Sequence, residues 1–216
     1  MIGCVALLLS APQGLAIEPT LTDDVSINIM EHFSLGVRAR GKPNGASPML
    51  PLKGEVQRVC LQFDLAPVLP PKYGGQQFKA NLRLFVNRVD HPGKVRVFLL
   101  PAGEAWNEDS APARFASFPI PHPLQQGSYT VPQTISAKPA TRAKSFLDID
   151  VTPLLQRVAP DTLQITLMLV GEGETALTFD SKENMATSHP ASLQINLAPY
   201  VPPQQVGEAS PNPDPW

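Results

Sequence analysis

Leu147-Asp148-Ile149-Asp150-Val151 decides the fold of this chain. Apolar and acidic residues alternate one by one, a pattern that a helix of 3.6 residues per turn would scatter around its circumference. On a strand the same residues divide cleanly, with Leu147, Ile149 and Val151 on one face and Asp148 and Asp150 on the other. The period of two recurs on both sides of this stretch. Downstream it runs through Leu163-Ile165-Leu167-Leu169, Leu177-Phe179 and Leu193-Ile195-Leu197. Upstream it runs through Val95-Val97-Leu99, Leu82-Leu84-Val86, Val59-Leu61-Phe63 and Val25-Ile27-Ile29. Parallel sheets covered by helices read as near-continuous apolar runs, so this pattern predicts antiparallel sheets packed face to face. The expected fold is all-β, an antiparallel two-sheet β-sandwich. Its core is expected to hold Leu61, Phe63, Leu84, Val97, Ile149, Ile165, Leu167, Phe179 and Ile195.

Composition agrees. A chain of 216 residues suits one large all-β domain. Charged residues make up 17%, low for a soluble protein, and the 25 prolines exceed twice the usual share. Proline removes a ladder donor and belongs in loops and at strand edges, where most of these fall. A net charge of -2 with a pI near 6.1 argues against a nucleic-acid partner, which calls for a basic surplus.

The ends of the chain differ from its middle. Residues 1–16 read as a secretory signal-like segment, with an apolar Met1–Leu9 run and small residues at Gly14-Leu15-Ala16 for cleavage after Ala16. The apolar run is too short to span a bilayer. The expected setting is secreted, periplasmic or at the cell surface. With Cys4 removed, Cys60 would stand alone, and no disulfide framework is possible. Residues 17–199 hold the strands. Residues 200–216, ending Pro-Asn-Pro-Asp-Pro-Trp, read as a disordered or polyproline-like tail. Between Pro101 and Ser145 the strand signal is poor, with one strand expected near Gly127 to Val131.

The runs and their punctuation resemble the DNRLRE-domain family. Arg58-Val-Cys-Leu-Gln-Phe-Asp-Leu65 is similar to its "RxLLxFDLS" strand, and Lys79-Ala-Asn-Leu-Arg-Leu-Phe-Val86 to its "ATLRLYV". Ala105-Trp-Asn-Glu108, Phe146-Leu-Asp-Ile-Asp-Val-Thr-Pro-Leu-Leu155 and Thr178-Phe-Asp-Ser-Lys-Glu183 follow in the family's order, as do Pro190-Ala-Ser-Leu-Gln-Ile-Asn-Leu197. The chain departs at Glu31-His-Phe-Ser-Leu-Gly36, where the family has an "NYG" loop, and at Leu197, where it has an aromatic. The resemblance implies a jelly-roll-like sandwich found in exported proteins, some of which resemble carbohydrate-binding modules that recognise alginate.

Catalysis finds little support. His32, His91, His122 and His189 are isolated, and no HExxH, Cys/His ligand pair or GxSxG elbow is present. Glu104, Glu108 and Asp109 are close in sequence, as a glycosidase pair would need to be in space. The reading preferred here packs Trp106 against the sheet and has Glu108 hydrogen-bond loop backbone. Asp23, Asp24, Asp64, Asp148, Asp150, Asp180 and Glu183 are the conceivable Ca²⁺ ligands, but their spacing matches no EF-type loop. Turn capping by Asp and Ser is the simpler role. No cofactor is therefore expected, with structural Ca²⁺ the one exception left open.

The candidate ligand-binding face follows from pairing Leu82-Leu84-Val86 with Val95-Val97-Leu99 across a turn at Val89 to Gly93. That register puts Phe85 opposite Phe98 and Asn87 opposite Arg96. Arg83, Phe85, Asn87, Lys94, Arg96 and Phe98 then share the non-core face. Aromatic rings suit a sugar ring, and Arg binds a uronate carboxylate in bidentate fashion. The competing reading covers this face with the Pro101–Ser145 segment, making Phe85 and Phe98 a second small core. Arg38, Arg40 and Lys42 form a further basic cluster, read as a solvated face. The expected function is an exported, non-catalytic carbohydrate-binding module for an acidic, uronate-rich polysaccharide. The alternative is a structural or adhesive subunit of an extracellular or cell-surface assembly, with protein partners.

Overall fold

The computed structural model describes residues 16–28, 46–66, 77–100, 106–108, 111, 133–136, 142–159 and 161–197. The described strands are β1 (Ala16–Ile17), β2 (Thr20–Asn28), β3 (Met49–Lys53), β4 (Gln57–Asp64), β5 (Phe78–His91) and β6 (Val95–Leu99). They continue as β7 (Gln133–Ser136), β8 (Ser145–Asp150), β9 (Gln164–Gly171), β10 (Ala176–Asp180) and β11 (Ser192–Leu197), with one helical turn, α1 (Thr152–Leu155), after β8. Every pairing is antiparallel. The fold is all-β, as the alternation predicts.

The strands form a single curled sheet with two arms. In one, β5 has β8 on one edge and β10 and β11 along the other, with β3 beyond β10 and β1 beyond β11. In the other, β4 lies between β2 and β9, and β9 leads to β6 and β7. Where two separate sheets were expected, one residue pair, Lys53 with Gln57, joins the arms. The turn between them needs glycine at 54: φ is 48°, and a Cβ there would meet the Gly173 carbonyl oxygen at 2.6 Å.

Both arms contribute to one core. Leu61, Phe63, Leu84, Val97, Ile149, Ile165, Leu167, Phe179 and Ile195 are all buried in it, none more than 4% exposed. Each buried side chain of this size contributes roughly 1.5–3 kcal/mol, so these positions carry much of the stability. Asp150 ends β8 in the role expected of it: its Oδ1 accepts the Thr152 N–H at 2.9 Å as α1 begins. Hydrogen bonds from the Thr152 hydroxyl and then its N–H hold the Asp150 carboxyl below the usual carboxylate range. Asp64 Oδ1 likewise accepts the Ala66 N–H, at 2.8 Å.

Several expectations need correction. The β5–β6 hairpin does not form. Both edges of β5 are already occupied by β8 and by β10 with β11, so β6 pairs with β7 and β9 in the other arm. The chain crosses between arms at Pro92-Gly93, where a Cβ on Gly93 would clash with the Thr175 hydroxyl at 1.9 Å. Leu163 is 57% exposed and precedes β9; its carbonyl oxygen accepts the Leu65 N–H at 2.7 Å. Ala16, expected as the last residue of the signal-like segment, pairs with Asn196 in β1. The strand expected at 127–131, the basic cluster at 38–42, His32, His122, Glu104, Asp109 and the 200–216 tail lie outside the described residues. So does nearly all of the signal-like segment. Among the described residues no helix is long and apolar enough to cross a membrane.

Candidate functional site

The outward face of β5 carries Arg83, Phe85 and Asn87, since Leu82, Leu84 and Val86 turn inward. Register with β8 sets Phe146 beside Phe85 and Asp148 beside Arg83. The His189 ring, from the loop before β11, stacks on Phe85 with centroids 4.2 Å apart. Phe146 meets both rings edge-on, at 5.2 Å and 5.5 Å. The Arg83 guanidinium lies 4.2 Å from the Phe146 centroid, and its Nε is 3.7 Å from Asp148 Oδ1. Even so packed, Phe146 remains 43% exposed.

A polar chain centred on the buried Asn87–Asp180 pair supports this aromatic group. Lys144 Nζ donates to Asn87 Oδ1 at 2.9 Å, and Asn87 Nδ2 donates to Asp180 Oδ1 at 2.7 Å. The Thr187 hydroxyl donates to Asp180 Oδ2, and His189 Nδ1 lies 3.6 Å from the same oxygen. Asp180 is 1% exposed, so these partners are what make its burial tolerable. Lys144 adopts φ of 55°, unusual for a residue with a Cβ, and its N–H donates to the Val86 carbonyl at 2.7 Å. Its backbone is therefore pinned to β5 next to the amide its side chain reaches.

The predicted face divides between the arms. Arg83, Phe85 and Asn87 stand together; Lys94, Arg96 and Phe98 do not join them. Arg96 Nη2 pairs with Glu55 Oε1 at 2.5 Å, on the outer side of the second arm. Lys94 is exposed just ahead of β6. Phe98 is 1% exposed and belongs to a second apolar cluster with Val25, Ile27, Cys60, Met168 and Trp106. The covering segment of the competing reading is thus real at Phe98, where Trp106 and Ala111 lie over the arm, and absent from the described surroundings of Phe85. Cys60 faces this second cluster and away from the main core, as its parity predicts. Burial pushes its thiol up to about 12.

Trp106 packs as expected, 4% exposed with Nε1 donating to Thr166 Oγ1 at 2.8 Å. Glu108 has a different partner from the loop backbone foreseen for it: Lys182 Nζ, at 2.6 Å. Burial works against the Lys182 charge, but the hydrogen bonds and charges of Glu108 and Glu183 outweigh it and hold the ammonium above the usual lysine range. Beside it, Asp24 accepts from the Ser181 hydroxyl at 2.8 Å and the Lys182 N–H at 2.7 Å. Burial pushes the Asp24 carboxyl above its usual range despite those bonds. This group fastens the 106–108 segment to the loop after β10. Asp23 accepts from Gln62 Nε2 at 3.0 Å. The acids singled out as calcium candidates therefore have protein partners, and among the described residues no three His, Cys, Asp or Glu side chains are grouped to hold a metal ion.

Phe146, His189 and Lys144 are the site residues that the sequence reading passed over. Phe146 shares the parity of Asp148 and Asp150, so its outward placement was implicit in the alternation. His189 and Lys144 arrive from loops and carry no periodic signal. Compared with known protein families and with curated proteins, the chain matches none.

Proposed function

We propose that this chain is a non-catalytic polysaccharide-binding module that takes an acidic glycan on the outward face of β5 and β8. The observation that carries the reading is Phe146, a large ring left 43% exposed with a guanidinium 4.2 Å from its centroid. An exposed aromatic ring offers area for the apolar face of a sugar, and the adjacent Arg83 can turn its donors to a uronate carboxylate. The buried Asn87–Asp180 pair, with Lys144 joined to it from the surface, holds the platform in place, so little ordering is left for binding to impose. The composition of residues 1–16 supports a secreted, periplasmic or cell-surface setting.

The test is affinity electrophoresis through gels containing alginate, pectin or a neutral glucan. Phe146→Ala and Arg83→Ala should each weaken retention on the acidic gels by roughly two- to fivefold, with retention fading as salt rises. Wild-type retention by both variants would place the site elsewhere. A wild-type chain that ignores every gel would leave the structural or adhesive subunit as the better reading.

A further inference from the structure

We propose that the glycan site continues past β5, across β10 to β3, and that its ligand is an oligomer several acidic sugars long. This inference rests on the glycan reading above. The strands run in the order β8, β5, β10, β3, with Phe146 paired to Phe85, Thr178 to Arg88 and Thr178 to Pro51. Leu50, Leu52 and Phe179 point into the core, so Met49, Pro51 and Thr178 share the outward side with Phe85 and Asn87. Three strand spacings separate Phe146 from the far wall, about 14 Å, further than one sugar ring reaches.

At that far end lies a groove of about 330 Å³ lined by Ser47, Met49, Pro51, Asn87, Arg88 and Thr178. Its composition suits a charged sugar. Met49 and Pro51 give apolar walls. The Arg88 side chain is 67% exposed and, among the described residues, held by a surface pair with Asp90, so it can swing to a carboxylate. Thr178 is 5% exposed, and its hydroxyl has no hydrogen-bond partner among the described residues. A buried hydroxyl left unpartnered is a costly arrangement, and a ligand hydroxyl or carboxylate would relieve it. Asn87 belongs to both regions, with its amide tied to Lys144 and Asp180 on the Phe146 side. It joins platform and groove into one surface.

Calorimetric titration of the full chain with oligouronates, as dimer, tetramer and hexamer, separates the possibilities. Wild type should bind the hexamer roughly tenfold tighter than the dimer, because only the longer ligand engages both regions. Thr178→Val and Arg88→Ala should weaken the hexamer by about threefold or more and leave the dimer unchanged, whereas Phe146→Ala should weaken both. Thr178→Val should also melt no lower than wild type, since it removes a hydroxyl that has no partner among the described residues. Equal affinity for dimer and hexamer, or wild-type hexamer binding by both groove variants alongside a weakened Phe146→Ala, would end the site at β5 and leave the glycan reading standing. A lower melting temperature for Thr178→Val would overturn the assignment of that hydroxyl to a ligand. Failure of wild type to bind any of the oligomers or the parent polymers would overturn the glycan reading itself.

Discussion

Replacing Trp106 by alanine should loosen one face of the molecule without dissolving the main core. The indole is 4% exposed, sits in the second apolar cluster and donates to Thr166 Oγ1 at 2.8 Å. Truncating a buried Trp to Ala costs about 3–5 kcal/mol. For a domain of this size each kcal/mol lowers the melting temperature by roughly 2–4 °C, so the expected drop is roughly 6–20 °C. Trp106→Phe keeps most of the apolar area but strands the Thr166 hydroxyl, and should cost only about 1–3 kcal/mol. Calorimetry supplies the first measurement, and Cys60 supplies the second. Its thiol is fully buried in the same cluster, with the pKa pushed up to about 12, so it should resist thiol reagents in the native protein. In a Cys4→Ser background, Trp106→Ala should make Cys60 react faster than its loss of global stability accounts for, because local opening suffices. Melting within about 2 °C of the parent, with Cys60 no more reactive, would refute the idea that Trp106 seals this cluster.

Three other outcomes are expected. Asp24→Asn should flatten the pH dependence of stability: a carboxyl whose folded pKa is raised favours the native state most below pH about 4 and loses that advantage as pH rises, so the variant should gain on wild type between acid and neutral pH in urea titrations. Gly54→Ala should lower stability by at least about 1 kcal/mol in the same assay, because the added Cβ meets the Gly173 carbonyl at a positive φ. Arg96→Ala should leave alginate retention unchanged and shift melting by no more than about 4 °C, since it lies on β6 and pairs with Glu55 in the turn joining the arms; lost retention would move the binding face away from β5 and β8.

Alternation made the faces legible, and it could not make the neighbours legible. Leu147, Ile149 and Val151 had to point one way and Asp148 and Asp150 the other, whichever strand lay beside them. The second cluster was also readable in Leu167-Met168-Leu169-Val170, where apolar residues at both parities mark a strand covered on both faces. Pairing is different, because it depends on which edges are free. The Asp90-His91-Pro92-Gly93 stretch has the composition of a hairpin turn, yet between Leu82 and Val86 β5 already has β8 on one edge and β11 and β10 on the other. That single misplaced hairpin accounts for the error at Lys94, Arg96 and Phe98, while Arg83, Phe85 and Asn87 needed only the parity of their own strand. His189, Lys144 and Asp180 meet through loops whose paths are set by hydrogen bonds between residues far apart in the chain, and local pattern holds no trace of them.

Arg83 sits within β5 where strands flank it on both sides: Asn81, Leu82 and Arg83 each have a register partner on β8 and another on β11. Their backbone amides should therefore be among the last in the chain to exchange with deuterated solvent, needing near-global opening to do so. A side chain mounted on such a strand has its rotamer to adjust and almost no backbone freedom to give up. Contacts made there should carry a small entropic penalty, and changes introduced at alternate outward positions of β5 should alter chemistry while leaving the strand's path intact.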